Sequence, residues 1–382
     1  GLGILIRILI ENTGFKMPDL EPLLPLFGTL GLILIVTEAS LDLKLGRHKA
    51  NLIIKSASAA IILFALFVLI MTFVMVRFMG YGIIDSLLNA IPFGIISSAV
   101  AISSAANLNQ EQREFIVYES SLSDILGILV FNFILIYGGS IGHGLISFTF
   151  KGILTILISG AVTFVLAILL HKITYHINYV IILTSLIMVY VLGELIHLPA
   201  LLLVLAFGIT LANNRLIENT WAKRFIDFEK FRTDLSSFKM IMAELTFVVR
   251  SFFFIMFGYY TRIEGLFDLR NLITAISIIG VIYLLRIIFL SRFLKVPLIP
   301  YVFFSPRGLI TILLFLGIPA TSKLQIINEE VLTLVILITI LLMTFGNLIT
   351  RKEYKMPADV RIGSEGEVTT GLPRDYDNQD HL

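Results

Sequence analysis

Long apolar stretches recur along almost the whole chain and are separated by short polar segments. A helix needs about 20 mainly apolar residues to cross the roughly 30 Å hydrocarbon core of a bilayer. The first apolar run, 1–10, is about half that length, so we expect one or two N-terminal spans to be missing. The remaining stretches predict about eleven membrane spans, at 24–45, 51–77, 82–106, 111–138, 145–170, 177–196, 198–212, 238–262, 270–291, 296–318 and 328–350.

The composition favours the same class of protein. Of the 382 residues, 57% are hydrophobic and 15% are charged, with a mean hydropathy of +0.94, whereas soluble domains are roughly 45–50% apolar and about 25% charged. The net charge of +2 is too small to indicate a nucleic-acid partner, and the absence of cysteine excludes disulfides and thiolate metal sites. No glycine-rich phosphate loop and no spaced metal-binding histidines occur, so we expect no nucleotide, no cofactor and no enzyme activity.

The distribution of Lys and Arg predicts the orientation in the membrane, because cytoplasmic loops carry an excess of these residues. Basic residues occupy alternate loops: Lys44, Arg47 and Lys49; Arg113; Lys172; the segment 213–233; and Arg292 with Lys295. These loops and the C-terminus are therefore predicted to be cytoplasmic. The expected location is the plasma (cell inner) membrane, with lipid around the helices. Residues 351–382 are rich in Gly, Asp and Glu and predict a disordered tail after a transmembrane domain over 1–350.

An internal repeat relates the two ends of this domain. Ile91-Pro92-Phe93 is followed four residues later by Ser97-Ser98, and Ile299-Pro300-Tyr301 is followed at the same spacing by Ser305-Pro306. The predicted topology gives the two copies opposite directions, which is typical of transporters built from inverted repeats, here roughly 24–138 and 238–350. Ser97-Ser98 and Ser305–Gly308 interrupt their spans, and irregular backbone at that depth is tolerated only inside protein or along a cavity. An ordinary helix kink is the alternative interpretation.

Asp124 is the most informative charged residue, because it lies near the middle of the 111–138 span and a charge there costs several kcal/mol. A buried carboxylate can hold either a proton or a metal cation, which is the minimal chemistry of exchange. Carboxylate and hydroxyl oxygens are the ligands that hard cations prefer, so Ser120 and Ser123 are candidate ligands beside Asp124. A structural, hydrogen-bonded acid is the alternative role.

Other charges at membrane depth need partners. Glu119 lies more than one helical turn before Asp124, and Arg286, deep in the 270–291 span, is its candidate partner in a structural or gating ion pair. Arg307, in the second interrupted span, is expected to neutralise helix-end carbonyl groups or to screen Asp124. Arg250 is not expected to pair with Glu244 on its own helix. Glu38 lines an entrance or takes part in ordinary polar packing.

These residues resemble the signature motifs of the sodium/proton exchanger family, within the monovalent cation:proton antiporter superfamily. The segment from Glu119 to Asp124, Glu-Ser-Ser-Leu-Ser-Asp, is similar to the family's Glu-Ser-x-x-Asn-Asp. Arg286 resembles the intramembrane Arg of the family, and Ser305–Gly308 is similar to its Gly-x-Arg-Gly segment. Ser97-Ser98-Ala99 stands where the family usually has Thr-Asp-Pro, and Ser-Ser is similar to the potassium/proton antiporter branch.

The resemblance implies an all-α antiporter fold with thirteen spans in related members, two interrupted and crossing helices, and a homodimer. It implies that Asp124 is the cation- and proton-binding carboxylate, that Glu119 and Arg286 form a stabilising pair, and that the backbone and hydroxyls of Ser97–Val100, including Ser98, contribute to the site.

The expected function is exchange of a monovalent cation (Na⁺, with K⁺ and Li⁺ as competing ions) for protons by alternating access. The single midplane carboxylate, Asp124, predicts electroneutral exchange, because one acid carries either one proton or one cation. A cation channel or a non-transporting ion sensor on the same fold is the alternative function.

Overall fold

A computed structural model describes residues 2–13, 23–42, 50–105, 108–138, 154–155, 157–162, 178–195, 200–213, 228–260 and 264–353. The longer regular elements in these ranges are helices: α1 (Leu2–Thr13), α2 (Leu23–Asp42), α3 (Ala50–Met79), α4 (Ile83–Gly94), α5 (Ser98–Ser104), α6 (Gln110–Tyr137), α7 (Asn178–Leu195), α8 (Ala200–Ala212), α9 (Phe228–Tyr260), α10 (Leu269–Phe289), α11 (Leu309–Leu316) and α12 (Glu329–Glu353). The all-helical class predicted from the hydropathy is confirmed.

The helices follow the predicted spans closely. Within the described ranges, six stretches are long and apolar enough to cross a membrane: Asn51–Met79, Ile83–Ser104, Gln110–Tyr137, Thr233–Tyr260, Leu269–Leu294 and Glu329–Thr350. Three shorter apolar helices coincide with predicted spans as well: Phe27–Leu41, Val180–Gly193 and Ala200–Ala212. Most of the predicted span 145–170, and the predicted tail beyond residue 353, lie outside the described residues.

Helix α6 places Asp124 at the middle of the bundle. The helix begins at Gln110 because Asn109 caps it, with the Gln112 amide donating to Asn109 Oδ1 at 2.9 Å. It continues for 28 residues. At about 1.5 Å per residue, Asp124 lies about 21 Å from the start of the helix, which is half its length.

The first interruption separates α4 from α5. Pro92 lies inside α4 and has no amide proton to donate, and the helix ends two residues later at Gly94. Ile95 and Ser97 then adopt extended conformations before α5 begins at Ser98. Gly127 of α6 allows this segment to approach: a Cβ at Gly127 would lie 2.1 Å from Ile95 Cδ1.

The second interruption precedes α11 and differs from the first. A π-helical turn, Leu290–Leu294, ends at Lys295, which has a left-handed backbone conformation with φ of 52°. Residues 299–303 form turns and 304–308 are irregular. Within the predicted span 296–318, only Leu309–Leu316 form an α-helix. Proline residues at 300 and 306 remove amide donors on this side.

The two interruptions cross in the interior. The Ser97 amide donates to the Pro306 carbonyl at 2.9 Å. Gly308 lies directly against Ser97, since a Cβ at this position would come within 2.4 Å of Ser97 Oγ. The prediction of two interrupted, crossing segments is therefore confirmed. The second segment differs from the first because turns, not an α-helix, precede its interruption.

The helices pack in two groups. We call α3, α4, α5, α6, α10, α11 and α12 the core group, because these elements contact one another around the crossing. We call α1, α2, α7, α8 and α9 the scaffold group. The main contacts between the groups run from α2 to α6 and α11 and from α8 to α6. Asp124 belongs to α6, a core-group helix that contacts both α2 and α8 of the scaffold group.

Candidate functional site

Asp124 lies in the interior, with 2% of its surface exposed. The Ser98 amide, at the start of α5, donates to Asp124 Oδ2 at 3.2 Å, and the Ser98 side chain lies beside the same carboxylate. Asp124 Oδ1 is buried and has no hydrogen-bond partner among the described residues. A buried acceptor without a partner is costly, so a proton or a cation on Oδ1 would remove an existing penalty.

The serines predicted around Asp124 have different roles in the geometry. Ser123 Oγ accepts a hydrogen bond from the Ile96 amide at 3.0 Å and so ties α6 to the first interruption. Ser97 and Ser98 are both buried at the interruption. The Ser120 hydroxyl donates to the Ile116 carbonyl of its own helix at 2.7 Å, so it is engaged with the backbone one turn earlier. Its oxygen retains a lone pair but is not held towards Asp124 by any described hydrogen bond.

The structure brings Glu119 and Arg286 together. Arg286 Nη1 donates to Glu119 Oε1 at 2.6 Å and Nη2 to Oε2 at 2.8 Å, with at most 2% of either side chain exposed. The same guanidinium donates to the carbonyls of Tyr301 at 2.8 Å and Phe304 at 3.2 Å. A bidentate pair with further hydrogen bonds is the arrangement that makes buried charges tolerable. It connects α6 and α10 to the turns before the second interruption.

Arg307 connects the two interruptions. Its Nε donates to the Phe93 carbonyl at 2.7 Å, at the C-terminal end of α4, and its Nη1 donates to both the carbonyl and the hydroxyl of Ser305 at 3.0 Å. Its own amide donates to Thr339 Oγ1 of α12 at 3.1 Å. A positive charge at the carbonyl end of a helix is favourable. The geometry therefore corresponds to neutralisation of helix-end carbonyls rather than to direct contact with Asp124.

A small cavity adjoins the site. It has a volume of about 20 Å³ and is lined by Ser123, Ser305, Arg286 and Arg307 together with apolar side chains of α3 and α10. Most of the lining is apolar, and a cavity of this volume has room for about one water molecule. The cavity reaches Ser123, the residue before Asp124 on α6, whereas Asp124 itself does not line it.

The available ligands suit a hard monovalent ion. Asp124 Oδ1 is a buried carboxylate oxygen without a partner among the described residues, and the Ser98 side chain lies beside the same carboxylate. Among the described residues no three His, Asp or Glu side chains gather as a multidentate metal site. Oxygen ligands of this kind favour hard cations, and a single carboxylate matches a single positive charge.

Two features of the site region were missed by sequence reasoning. Arg250 of α9 pairs with Glu38 of α2, with 3.0 Å between Nη2 and Oε2. Both charges were recognised as unusual at membrane depth, but no local pattern links residues of two distant helices. Gly127 is the second feature: its position three residues after Asp124, in a buried helix, was the available signal for a close approach.

Comparisons with known proteins relate both the sequence and the fold to sodium/proton antiporters. The sequence profile of the family described as "Sodium/hydrogen exchanger, transmembrane" matches residues 1–351. The fold is similar to that of the sodium proton antiporter MjNhaP1 from Methanocaldococcus jannaschii, with a TM-score of 0.60 and 18% sequence identity over 93% of this chain and 95% of that chain. No curated protein matches the sequence.

Proposed function

Because the chain belongs to the sodium/hydrogen exchanger family, we propose that it exchanges a monovalent cation, with Na⁺ as the first candidate, for protons. As a member of that family it is a multi-pass membrane transporter and not an enzyme. The observation that carries the proposal is the buried Asp124 carboxylate at the crossing of two interruptions, with Oδ1 left without a partner. K⁺ and Li⁺ are the competing cations, and they share the same ligand chemistry.

In the proposed mechanism the Ser98 amide holds Oδ2 of Asp124 and leaves Oδ1 for the exchanging ion. A proton and a cation then compete for one oxygen, so each replaces the other. Every half-cycle moves one positive charge, and the full exchange is electroneutral. Ser98 supplies the hydroxyl beside the carboxylate, and Ser123 holds the first interruption against α6. The Glu119–Arg286 pair holds α6 next to the turns before the second interruption.

Alternating access requires the core group to move against the scaffold group. The boundary between them includes small residues of α2: a Cβ at Gly28 would lie 3.1 Å from Leu313 Cδ2, and one at Gly31 would lie 3.8 Å from Leu313 Cδ1. A smooth helix surface of this kind supports sliding of α11 past α2. We propose that the scaffold group also forms the homodimer contact in a plasma membrane, with the C-terminus in the cytoplasm.

An ion channel is the alternative on the same fold. A channel needs a continuous aqueous path, whereas Asp124 is 2% exposed and the adjoining cavity is only about 20 Å³. The enclosed site therefore supports a carrier that loads an ion on one side and releases it on the other.

The test uses purified protein in liposomes that contain a pH-sensitive dye. Addition of Na⁺, K⁺ or Li⁺ outside should cause cation-dependent proton efflux from acid-loaded vesicles, at a rate unchanged when the membrane potential is clamped to zero. Asp124→Asn should lower this rate by at least about a hundredfold, a typical order for loss of one essential acid–base group. Glu111→Gln removes an exposed carboxylate from the same helix and should exchange like the wild type. Exchange that persists in Asp124→Asn would refute the proposed site.

A further inference from the structure

A second ion pair among the described residues, Arg250–Glu38, has no role in the exchange described so far. Arg250 of α9 and Glu38 of α2 both belong to the scaffold group, whereas Asp124 belongs to the core group. Helix α2, which carries Glu38, nevertheless packs directly against α6, the helix that carries Asp124. The Arg250–Glu38 pair is thus held on a scaffold helix that contacts the helix of Asp124.

Packing places Arg250 at the boundary between the two groups. Gly31 of α2 contacts both neighbours: its Cβ would lie 3.6 Å from Val249 Cγ1 and 3.8 Å from Leu313 Cδ1. Val249 precedes Arg250 on α9, and Leu313 belongs to α11 of the core group. Helices α2, α9 and α11 therefore meet at Val249, the residue before Arg250, so relative movement of the two groups changes the surroundings of Arg250.

The Arg250–Glu38 pair is much less confined than the pair formed by Glu119 and Arg286. The side chains of Arg250 and Glu38 are 17% and 27% exposed, against 2% and 1% for Arg286 and Glu119. Arg250 joins Glu38 through Nη2 only, and no bidentate contact is formed. A partly hydrated, single hydrogen bond constrains the guanidinium weakly, so exchange of one carboxylate partner for another costs little.

Unsatisfied polar atoms occur on both sides of the boundary. Arg250 Nε is a buried donor without an acceptor among the described residues, and Asp124 Oδ1 is a buried acceptor without a donor there. Each atom carries a desolvation penalty that the other would relieve. Complementary unsatisfied groups of opposite charge, one on each moving group, indicate a contact that forms in another state of the cycle.

We propose that Arg250 is a movable counter-charge, which binds Glu38 while Asp124 carries a proton or a cation and turns to Asp124 when that carboxylate is empty. This inference rests on the proposed exchange at Asp124. An empty, charged Asp124 would then be attached to the scaffold group and would not cross, whereas a loaded Asp124 is released. Glu38 acts as the alternative partner that takes Arg250 away once an ion arrives, and the exchange remains coupled.

The two partners have opposite expected effects on the Na⁺ concentration that gives half-maximal exchange. Glu38→Gln removes the acid that binds Arg250, so Arg250 turns to Asp124, competes with Na⁺ and should raise the KM by about tenfold. Arg250→Gln removes the competitor, so the KM should fall by about fivefold. The same variant should allow Na⁺ flux without proton counterflow, because the empty site can cross. Arg250→Lys keeps the charge and should restore coupled exchange.

The controls separate this inference from a purely structural pair. Glu244→Gln removes an exposed charge of the same helix α9 and should leave the KM unchanged. An ion pair that only holds α2 to α9 would give both single variants the same direction of KM change. Shifts in the same direction, or none, would therefore overturn the movable counter-charge. K⁺ replaces Na⁺ as the probe if the wild type exchanges K⁺ alone.

Failure of the underlying function gives a different result. Exchange that survives Asp124→Asn contradicts the proposed site, whatever the other variants do. Exchange that needs Asp124, combined with KM values that do not diverge, contradicts only the role of Arg250. Size-exclusion profiles and melting curves in detergent establish folding. If a glutamine variant does not fold, Glu38→Asp, which shortens the acid and loosens the pair, should raise the KM, while Arg250→Lys should stay within about twofold of the wild type.

Discussion

Substitution of Gly127 by alanine tests whether the first interruption must lie directly against α6. A Cβ at this position would come 2.1 Å from Ile95 Cδ1 and 2.3 Å from Ile95 Cγ1, well inside van der Waals contact, but 3.6 Å from Ile95 Cβ. Ile95 is fully buried, so its side chain has little free space to move into. The added methyl should therefore displace the segment that carries the Ser98 amide away from Asp124.

The magnitude follows from the contacts. Overpacking of a filled interior costs about 1–3 kcal/mol, so Gly127→Ala should lower stability by that amount and slow exchange by about tenfold or more, since 1.4 kcal/mol is a factor of ten. Ile95→Ala alone removes the two clashing carbons but creates a cavity, which costs about 2–5 kcal/mol. In the double variant both clashing carbons are absent, and the Cβ of residue 95 lies at an ordinary 3.6 Å from the new methyl. The loss of stability in the double variant should therefore be smaller than the summed losses of the two single variants by about 1–2 kcal/mol.

Thermal melting in detergent and exchange in liposomes measure the two effects separately. Gly280→Ala is the matched control, because no atom lies within 4 Å of a Cβ at that position of α10. It should melt and exchange like the wild type. A Gly127→Ala protein with unchanged melting and exchange, or a double variant with purely additive losses, would refute the close approach of the interruption to α6.

Two further substitutions test the charged residues of the core group. Glu119→Gln leaves the Arg286 charge buried without its counter-charge, so thermal melting should show a loss of stability of about 3–5 kcal/mol. The double variant with Arg286→Gln should lose less stability than the single variant. A double variant that is less stable than the single variant would contradict an energetic coupling of the two charges. Arg307→Lys keeps the charge but replaces the guanidinium fork, so the hydrogen bonds to the Phe93 and Ser305 carbonyls cannot both persist. Exchange by Arg307→Lys should fall by about tenfold, whereas Arg292→Lys, at an exposed position, should exchange like the wild type. Full activity of Arg307→Lys would show that exchange does not require the guanidinium group.

Much of the fold follows from the one-dimensional pattern. Hydropathy alone locates the spans, because every lipid-crossing segment must satisfy its own backbone hydrogen bonds and therefore forms a helix. The two interruptions are local features as well, since Pro92, Pro306 and the adjoining serines and glycine disfavour a continuous helix wherever they occur. The turns at 299–303 were beyond this reasoning, because an apolar run has the same composition whether it forms a helix or a buried turn.

The charged residues show where sequence reasoning ends. Glu119 and Arg286 could be proposed as partners because buried opposite charges need one another and few were available. Glu38 and Arg250 could not be matched, since they lie on helices far apart in the chain and their pairing depends on how α2 and α9 pack. Ser120 illustrates the same limit on a smaller scale: its hydroxyl donates to its own helix, a choice of side-chain rotamer that spacing does not reveal.

The sequence by itself determined that this chain is a helical membrane protein with a lone acid, Asp124, at mid-depth and two weakened helices nearby. These properties depend on the cost of moving backbone and charge into hydrocarbon, which acts on each residue where it stands in the chain. Only the tertiary structure decided that the Ser98 amide takes one oxygen of Asp124 while the other has no partner, and that Arg250 stands across the boundary. Hydrogen bonds and ion pairs require atoms within about 3 Å, and residues far apart in the chain reach that distance only when helices pack together.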